Sequence, residues 1–206
     1  MKKSHQLSRR GFLKAAAASA GALAFPTIVP ASVFGPNAPS KKLNLGAIGL
    51  GGMGNGNLGA FLNIDDVRVV AICDVDQKHA DNARDRVNKQ YKNQDCKTYG
   101  DFREMLACGD LDLCSIAVPD HWHALLYTSA LKAGCDVYGE KPLARSIKEG
   151  RAIVDAQRRY GRVWQTGSWQ RSTGNFYQAC MLVRNGRIGK LVRVAVGLPT
   201  GKPGTL

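Results

Sequence analysis

Six consecutive residues constrain this chain more than any others: Gly49-Leu50-Gly51-Gly52-Met53-Gly54. They follow an apolar strand-like run, Leu43 to Ile48, and open a helical stretch. In G-x-G-x-x-G spacing the first glycine permits a tight turn. The second lets backbone approach a pyrophosphate, and the third lets helix lie close to strand. The pyrophosphate then sits at the positive end of the helix. Alone, this spacing is a weak signal. Here Asp74 closes the next strand-like run, Val67 to Cys73, twenty residues after Gly54. An acid at that distance accepts hydrogen bonds from an adenosine ribose. It repels a 2′-phosphate, so NAD is expected over NADP. Gly49, Gly51, Gly52, Met53, Gly54 and Asp74 are thus the first candidate cofactor-binding residues.

The remaining pattern agrees with that placement. Asp76 to Gln90 reads as a polar helix, and Asp101-Phe102-Arg103-Glu104 has the form of a helix start. Leu111–Val118 reads as a strand and Asp120–Ala133 as a helix closed by Gly134. Cys135–Tyr138 is a strand, Ser146-Ile147-Lys148-Glu149 is a capping box opening a helix to about Tyr160, and Val163–Thr166 is a strand. Alternating strands and helices imply an α/β fold, a doubly wound parallel (Rossmann) sheet with right-handed crossovers.

The first forty residues differ from the rest: they hold five basic residues and no acid. Ser8-Arg9-Arg10-Gly11-Phe12-Leu13-Lys14 followed by a short Ala-rich run resembles a twin-arginine export signal, with Ala22-Leu23-Ala24 as a cleavage site. The apolar run is too short to span a bilayer, and Pro26 and Pro30 interrupt it. Residues 1–24 are read as the signal and 25–42 as a Pro/Ser-rich linker. An exported, extracytoplasmic location, with the twin-arginine translocase as a partner and no stable membrane span, is the expectation.

Without residues 1–24 the chain has 24 basic and 16 acidic residues. From Lys141 onward there are 13 Lys and Arg against Glu149 and Asp155 alone. The basic residues are scattered, with no run longer than Arg158-Arg159, so a solvated surface is favoured over a nucleic-acid patch. Six cysteines, at 73, 96, 108, 114, 135 and 180, form no C-x-x-C pair, so no metal site is expected. Cys73, Cys114 and Cys135 fall in apolar runs and read as reduced core residues.

Two strand ends carry further candidates. In "AVPDHWHA", Pro119 stops a strand and His123 lies at the rim where a doubly wound sheet binds ligands. His123 reads either as a contact to cofactor or substrate or as a structural helix-start histidine. In "VYGEKPLA" a strand ends in an acid, Glu140, and a base, Lys141, locked by Pro142. A polar turn is the bland alternative. Taken together, "GAIGLGGMG", "CDVD", "VPDHWHALL" and "GEKPLA" resemble the Gfo/Idh/MocA oxidoreductases over about residues 43 to 200.

That resemblance implies roles. Lys141 would reach the substrate hydroxyl beside the nicotinamide and Glu140 would help position it, making both candidate catalytic and cofactor-site residues. Pro142 would fix the turn, often as a cis peptide. Pro119, His123, Gln170 and Arg171 would lie near the cofactor. It assigns residues 43–168 to the NAD-binding domain and 169–206 to the beginning of a second α+β substrate domain, with Val192, Val194 and Val196 on one face of its first strand. The family continues well beyond this point and supplies a further catalytic histidine, so the sequence is expected to be a fragment of a longer homo-oligomeric parent. The implied activity is NAD-dependent oxidation of a sugar, polyol or related carbohydrate. A glycosidase using NAD for transient oxidation and a non-catalytic dinucleotide-binding module are the alternatives.

Overall fold

The computed structural model describes residues 41–198. The expected export signal, the linker up to residue 40 and residues 199–206 lie outside the described residues. Six strands form one parallel sheet: β1 (Leu43–Ile48), β2 (Val67–Cys73), β3 (Lys97–Tyr99), β4 (Leu113–Ile116), β5 (Asp136–Glu140) and β6 (Trp164–Gly167), in the order β3-β2-β1-β4-β5-β6. Between them run α1 (Gly52–Phe61), α2 (Gln77–Tyr91), α3 (Phe102–Ala107), α4 (His123–Lys132) and α5 (Ile147–Tyr160), and α6 (Gly174–Arg184) follows β6. The doubly wound sheet expected from the sequence is therefore the fold. Strand order reverses between β1 and β4, the switch point at which such sheets bind ligands.

The core lies in two layers. On one face Leu45, Ala47 and Val69 meet Leu58 of α1 and Ala80, Ala83 and Val87 of α2. On the other, Ile48, Cys114, Ile116 and Val137 meet Met105 of α3, Tyr127 and Leu131 of α4, and Ile153 of α5. β2 changes phase on the way. Its pairing with β1 slips between Leu45 and Gly46, so Leu45 opposes Val69 while Gly46 opposes Ala71. The extra residue, Val70, makes a bulge. Val67 and Val69 face α1 and α2, yet Ala71 and Cys73 face the opposite layer and Ile72 returns to the first. The slip thereby decides which side the residues at the end of β2 take.

Helix ends follow the local chemistry. The Asp76 carboxylate accepts from Lys78 N and His79 N, capping α2. Ser146 and Glu149 form the complete reciprocal box at α5, and Gly161 closes that helix in the left-handed region at φ 62°. Some boundaries differ from the sequence reading. The helix expected over Asp120–Ala133 begins as a 3-10 turn, Asp120–Trp122, before α4. β3 is a three-residue edge strand too short to show periodicity. The strand expected around Val192–Val196 is absent: these residues have no regular structure, and Val192 is 88% exposed. Alternation supplies a strand face, but a strand needs a neighbour to complete its ladder, and none stands beside it among the described residues. The apolar side chains of α6, such as Phe176 and Tyr177, are likewise exposed. No helix among the described residues is long and apolar enough to cross a membrane.

Candidate functional site

A cleft of about 510 Å³ opens at the carboxyl ends of β1 to β4. Its floor is the glycine turn. Gly49 takes φ +79°, and a Cβ there would strike the Ala117 backbone. A Cβ at Gly54 would run into the carbonyl oxygen of Gly49, whereas Gly51 and Gly52 face open space. The turn is thus both strained for other residues and open on its outer side. No side chain caps α1, and its first turn holds no acid. Its free N–H groups are a ready anion site. Gly49 and Gly51 line the cleft, while Gly52 and Met53 line a second one of about 450 Å³ on the other side of α1.

Asp74 closes the second wall. Its side chain is only 9% exposed. Leu50 N–H donates to Oδ2 at 2.6 Å and Asp76 N–H donates to Oδ1 at 2.9 Å, so the acid clamps the glycine turn as well as facing the cleft. His79 Nδ1 lies 3.7 Å from Oδ2. Phe102, Arg103, Val118, Pro119 and Trp122 complete the walls. The Arg103 backbone N–H, joined by its guanidinium, holds the Asp101 carboxyl below its usual range. Cys73 also lines the cleft, but burial, reinforced by Asp74, pushes its thiol up to about 12, so it stays uncharged.

β5 delivers the next rim group. Lys141 is exposed at the strand end, and the Lys141–Pro142 peptide is cis. Glu140 is not exposed beside it: it is buried at 6%, and Oε1 accepts from Asn57 Nδ2 of α1 at 2.9 Å. His123 is not a rim residue either. It is 1% exposed, with Nδ1 2.6 Å from the Pro142 carbonyl and Nε2 2.9 Å from the Val118 carbonyl. Of the two readings of His123, the structure takes the structural one. Gln170 and Arg171 sit on an exposed 3-10 turn, Trp169–Ser172, outside the cleft lining. The structure therefore brings together the glycine turn, Asp74 and Pro119, sets Lys141 on the adjacent strand end, and carries Gln170 and Arg171 on a turn whose Trp169 and Ser172 line the second cleft with Gly52 and Met53. Sequence reasoning missed Asn57 and Tyr127, whose hydroxyl donates to the Glu140 carbonyl at 3.0 Å. The four-residue spacing of His123 and Tyr127 on one helix was the available signal.

The site suits a dinucleotide such as NAD on these observations: an open, uncapped helix start, a glycine turn that a side chain would block, and a carboxylate in the cleft wall. Comparison with known proteins agrees. Residues 43–168 match the model of the "Oxidoreductase family, NAD-binding Rossmann fold". A glycosyl hydrolase family 109 protein of Shewanella sp. (strain ANA-3) is 31% identical over 173 residues, 75% of this chain. This chain spans only 38% of that relative. The structure of myo-inositol 2-dehydrogenase from Lactobacillus plantarum is similar with TM-score 0.65 and 27% identity over 74% of this chain and 44% of that one. Scyllo-inositol dehydrogenase from Lactobacillus casei, with bound NAD(H) and scyllo-inositol, gives TM-score 0.63 and 25% identity over 72% and 43%. The glycine turn, the switch-point cleft and the match over the whole parallel sheet lead to one conclusion: this chain belongs to the Gfo/Idh/MocA oxidoreductase family, with its NAD-binding Rossmann fold.

Proposed function

We propose that the protein carrying this chain oxidises a hydroxyl of a sugar, polyol or related carbohydrate, with NAD preferred over NADP. Bound NAD supplies the hydride acceptor. The chain's own residues do the rest. The amides at the start of α1 hold the pyrophosphate, and Asp74 takes the ribose hydroxyls while rejecting a 2′-phosphate. Lys141 Nζ stabilises charge developing on the carbinol oxygen and relays its proton. Buried Glu140 fixes the base of that turn. The observation that carries this reading is the exposed Lys141 at the end of β5, one strand from the switch-point cleft, on a turn held by buried Glu140 before it and by the buried His123 ring at the Pro142 carbonyl after it. The inositol dehydrogenases similar in fold support a polyol as substrate.

A second reading is supported by the 31% identity to a glycosyl hydrolase family 109 protein: glycoside cleavage through transient oxidation, with NAD regenerated. Net NADH production separates the two, because only the oxidoreductase accumulates it. The test is to titrate NAD and NADP by calorimetry and then follow NADH over a panel of inositols, sugars and glycosides with and without Lys141→Ala. Product release without NADH would transfer the assignment to the second reading. Equal turnover with and without Lys141 would remove the lysine from the chemistry. The Arg9-Arg10 segment supports export through the twin-arginine translocase to the periplasm or another extracytoplasmic space.

A further inference from the structure

Lys141 is flanked by two carbonyls, and α4 holds both. The Glu140 carbonyl accepts from Tyr127 Oη at 3.0 Å, and the Pro142 carbonyl lies 2.6 Å from His123 Nδ1. His123 and Tyr127 are one helical turn apart, 1% and 0% exposed, with ring centroids 4.9 Å apart. Trp164 meets Tyr127 edge-on at 4.5 Å, and a Cβ at Gly139 would strike both of those rings. Burial, reinforced by the Glu140 charge, pushes the Tyr127 phenol up, so its hydroxyl remains a donor. A third hold comes from the opposite face of the sheet: Asn57 of α1 donates to the Glu140 carboxylate at 2.9 Å. Lys141 itself forms no ion pair among the described residues.

We propose that Asn57, His123 and Tyr127 are positioning residues that clamp the Glu140–Lys141–Pro142 turn, leaving the Lys141 ammonium as its one mobile charged group. The proposal rests on the reading that Lys141 meets the substrate. Its physical basis is the distribution of the three holds. They grip a carboxylate and the two carbonyls on either side of the lysine, from two helices on opposite faces of the sheet. Asn57 stands one turn beyond Gly54 on the helix that receives the pyrophosphate, so cofactor and lysine share one frame. An error of about 1 Å in such a frame costs roughly a hundredfold in rate. A plain structural role would instead satisfy buried carbonyls without governing the turn.

Three conservative changes distinguish these roles. Tyr127→Phe removes the hydroxyl and keeps the ring. His123→Asn puts its amide N–H near the position of Nδ1, so it can still serve Pro142. His123→Gln places it near Nε2 and serves Val118 instead. Backbone 15N relaxation is measured on the labelled chain, with NAD affinity by calorimetry and turnover in the protein that carries it. In Tyr127→Phe and His123→Gln the order parameters of Lys141 and Leu143 should fall from about 0.85 to below about 0.6, with β1 and α5 unchanged. His123→Asn should stay near the starting value. Where turnover is found, kcat should drop roughly ten- to a hundredfold for the first two variants, while NAD affinity changes less than about threefold. Unchanged order parameters in both Tyr127→Phe and His123→Gln, or equal loss for His123→Asn and His123→Gln, would overturn the clamp. A Lys141→Ala protein with full turnover would instead overturn the role of the lysine, and the relaxation data would still decide whether the turn is clamped.

Discussion

Asp74 holds the glycine turn and, in the proposed function, also selects NAD; two substitutions separate these tasks. Its carboxylate accepts from Leu50 N–H at 2.6 Å and from Asp76 N–H at 2.9 Å. Leu50 is 4% exposed, so its amide has little access to water if the carboxylate is removed. Asp76 is exposed, and water can replace that contact. Asp74→Ala should therefore cost one buried unsatisfied donor, about 1–3 kcal/mol. For a unit of this size that lowers Tm by about 2–12 °C. The glycine turn is then less fixed, so NAD and NADP should both bind more weakly. Asp74→Asn keeps an acceptor, and its amide oxygen can turn towards Leu50. Stability should stay within about 1 kcal/mol of the unchanged protein, while the charge is lost. The preference for NAD over NADP should then shrink by the worth of a charge-assisted ribose hydrogen bond, about 1.5–3 kcal/mol or roughly ten- to a hundredfold. Calorimetric titration of both dinucleotides and a thermal melt supply all the quantities. The reasoning fails if Asp74→Asn keeps the full NAD preference, or if Asp74→Ala melts at the original temperature.

Lys141→Ala should lower kcat far more than it weakens NAD, as measured by NADH formation against calorimetry; a proportional loss in both would recast the lysine as a cofactor-binding residue. Ser146→Ala removes the acceptor of the α5 capping box and should cost about 1 kcal/mol, or roughly 2–4 °C in a thermal melt. Iodoacetamide at about pH 8 should label exposed Cys180 first and leave Cys73 and Cys96 untouched until unfolding, because burial pushes both thiols up to about 12. Those raised values also stabilise the fold below the ordinary thiol value of 9.0, and the contribution should disappear as pH rises from there towards 12, which an alkaline series of melts would detect. Replacing Arg9 and Arg10 together with lysine should retain the protein in the cytoplasm, and normal export of that double variant would reject the signal assignment.

Features fixed by a few neighbouring residues are legible in the sequence. The glycine turn needs only a strand, three glycines and a helix. The Asp101 cap and the Ser146–Glu149 box need only side chains and amides within three residues. Parallel strands with buried faces announced themselves as the apolar runs 43–48 and 67–73. The Val70 bulge was not legible, because "VRVVAIC" carries no mark of where its facing changes. Only pairing with β1 determines that Val69 and Ile72 share one face while Ala71 and Cys73 take the other. At Val192–Val196 alternation was present, but no partner strand stands beside it among the described residues.

His123 shows how the two kinds of information meet. Its place just after a strand end located the correct rim, because chain order fixes the ends of parallel strands. Its direction was set by the three residues before it. Pro119, three residues past the end of β4, donates no hydrogen bond, and Asp120–Trp122 form a 3-10 turn with 3.0 residues per turn rather than 3.6. That tighter turn offsets the helix phase by the time α4 begins. His121 and Trp122 face solvent, while His123 turns inward, four residues ahead of Tyr127. A ring buried at that point cannot be left without partners, and the two carbonyls within reach are Val118, just beyond β4, and Pro142, following Lys141. A neutral imidazole carries one N–H and can donate to only one of them, whereas the imidazolium donates to both. The proposed clamp requires a neutral ring to carry its N–H on Nδ1, the nitrogen with the shorter contact. Nitrogen-15 shifts of the His123 ring should therefore show a protonated Nδ1 in either charge state. A neutral ring protonated at Nε2 would place the donor on Val118 and leave the turn after Lys141 without its hold from α4.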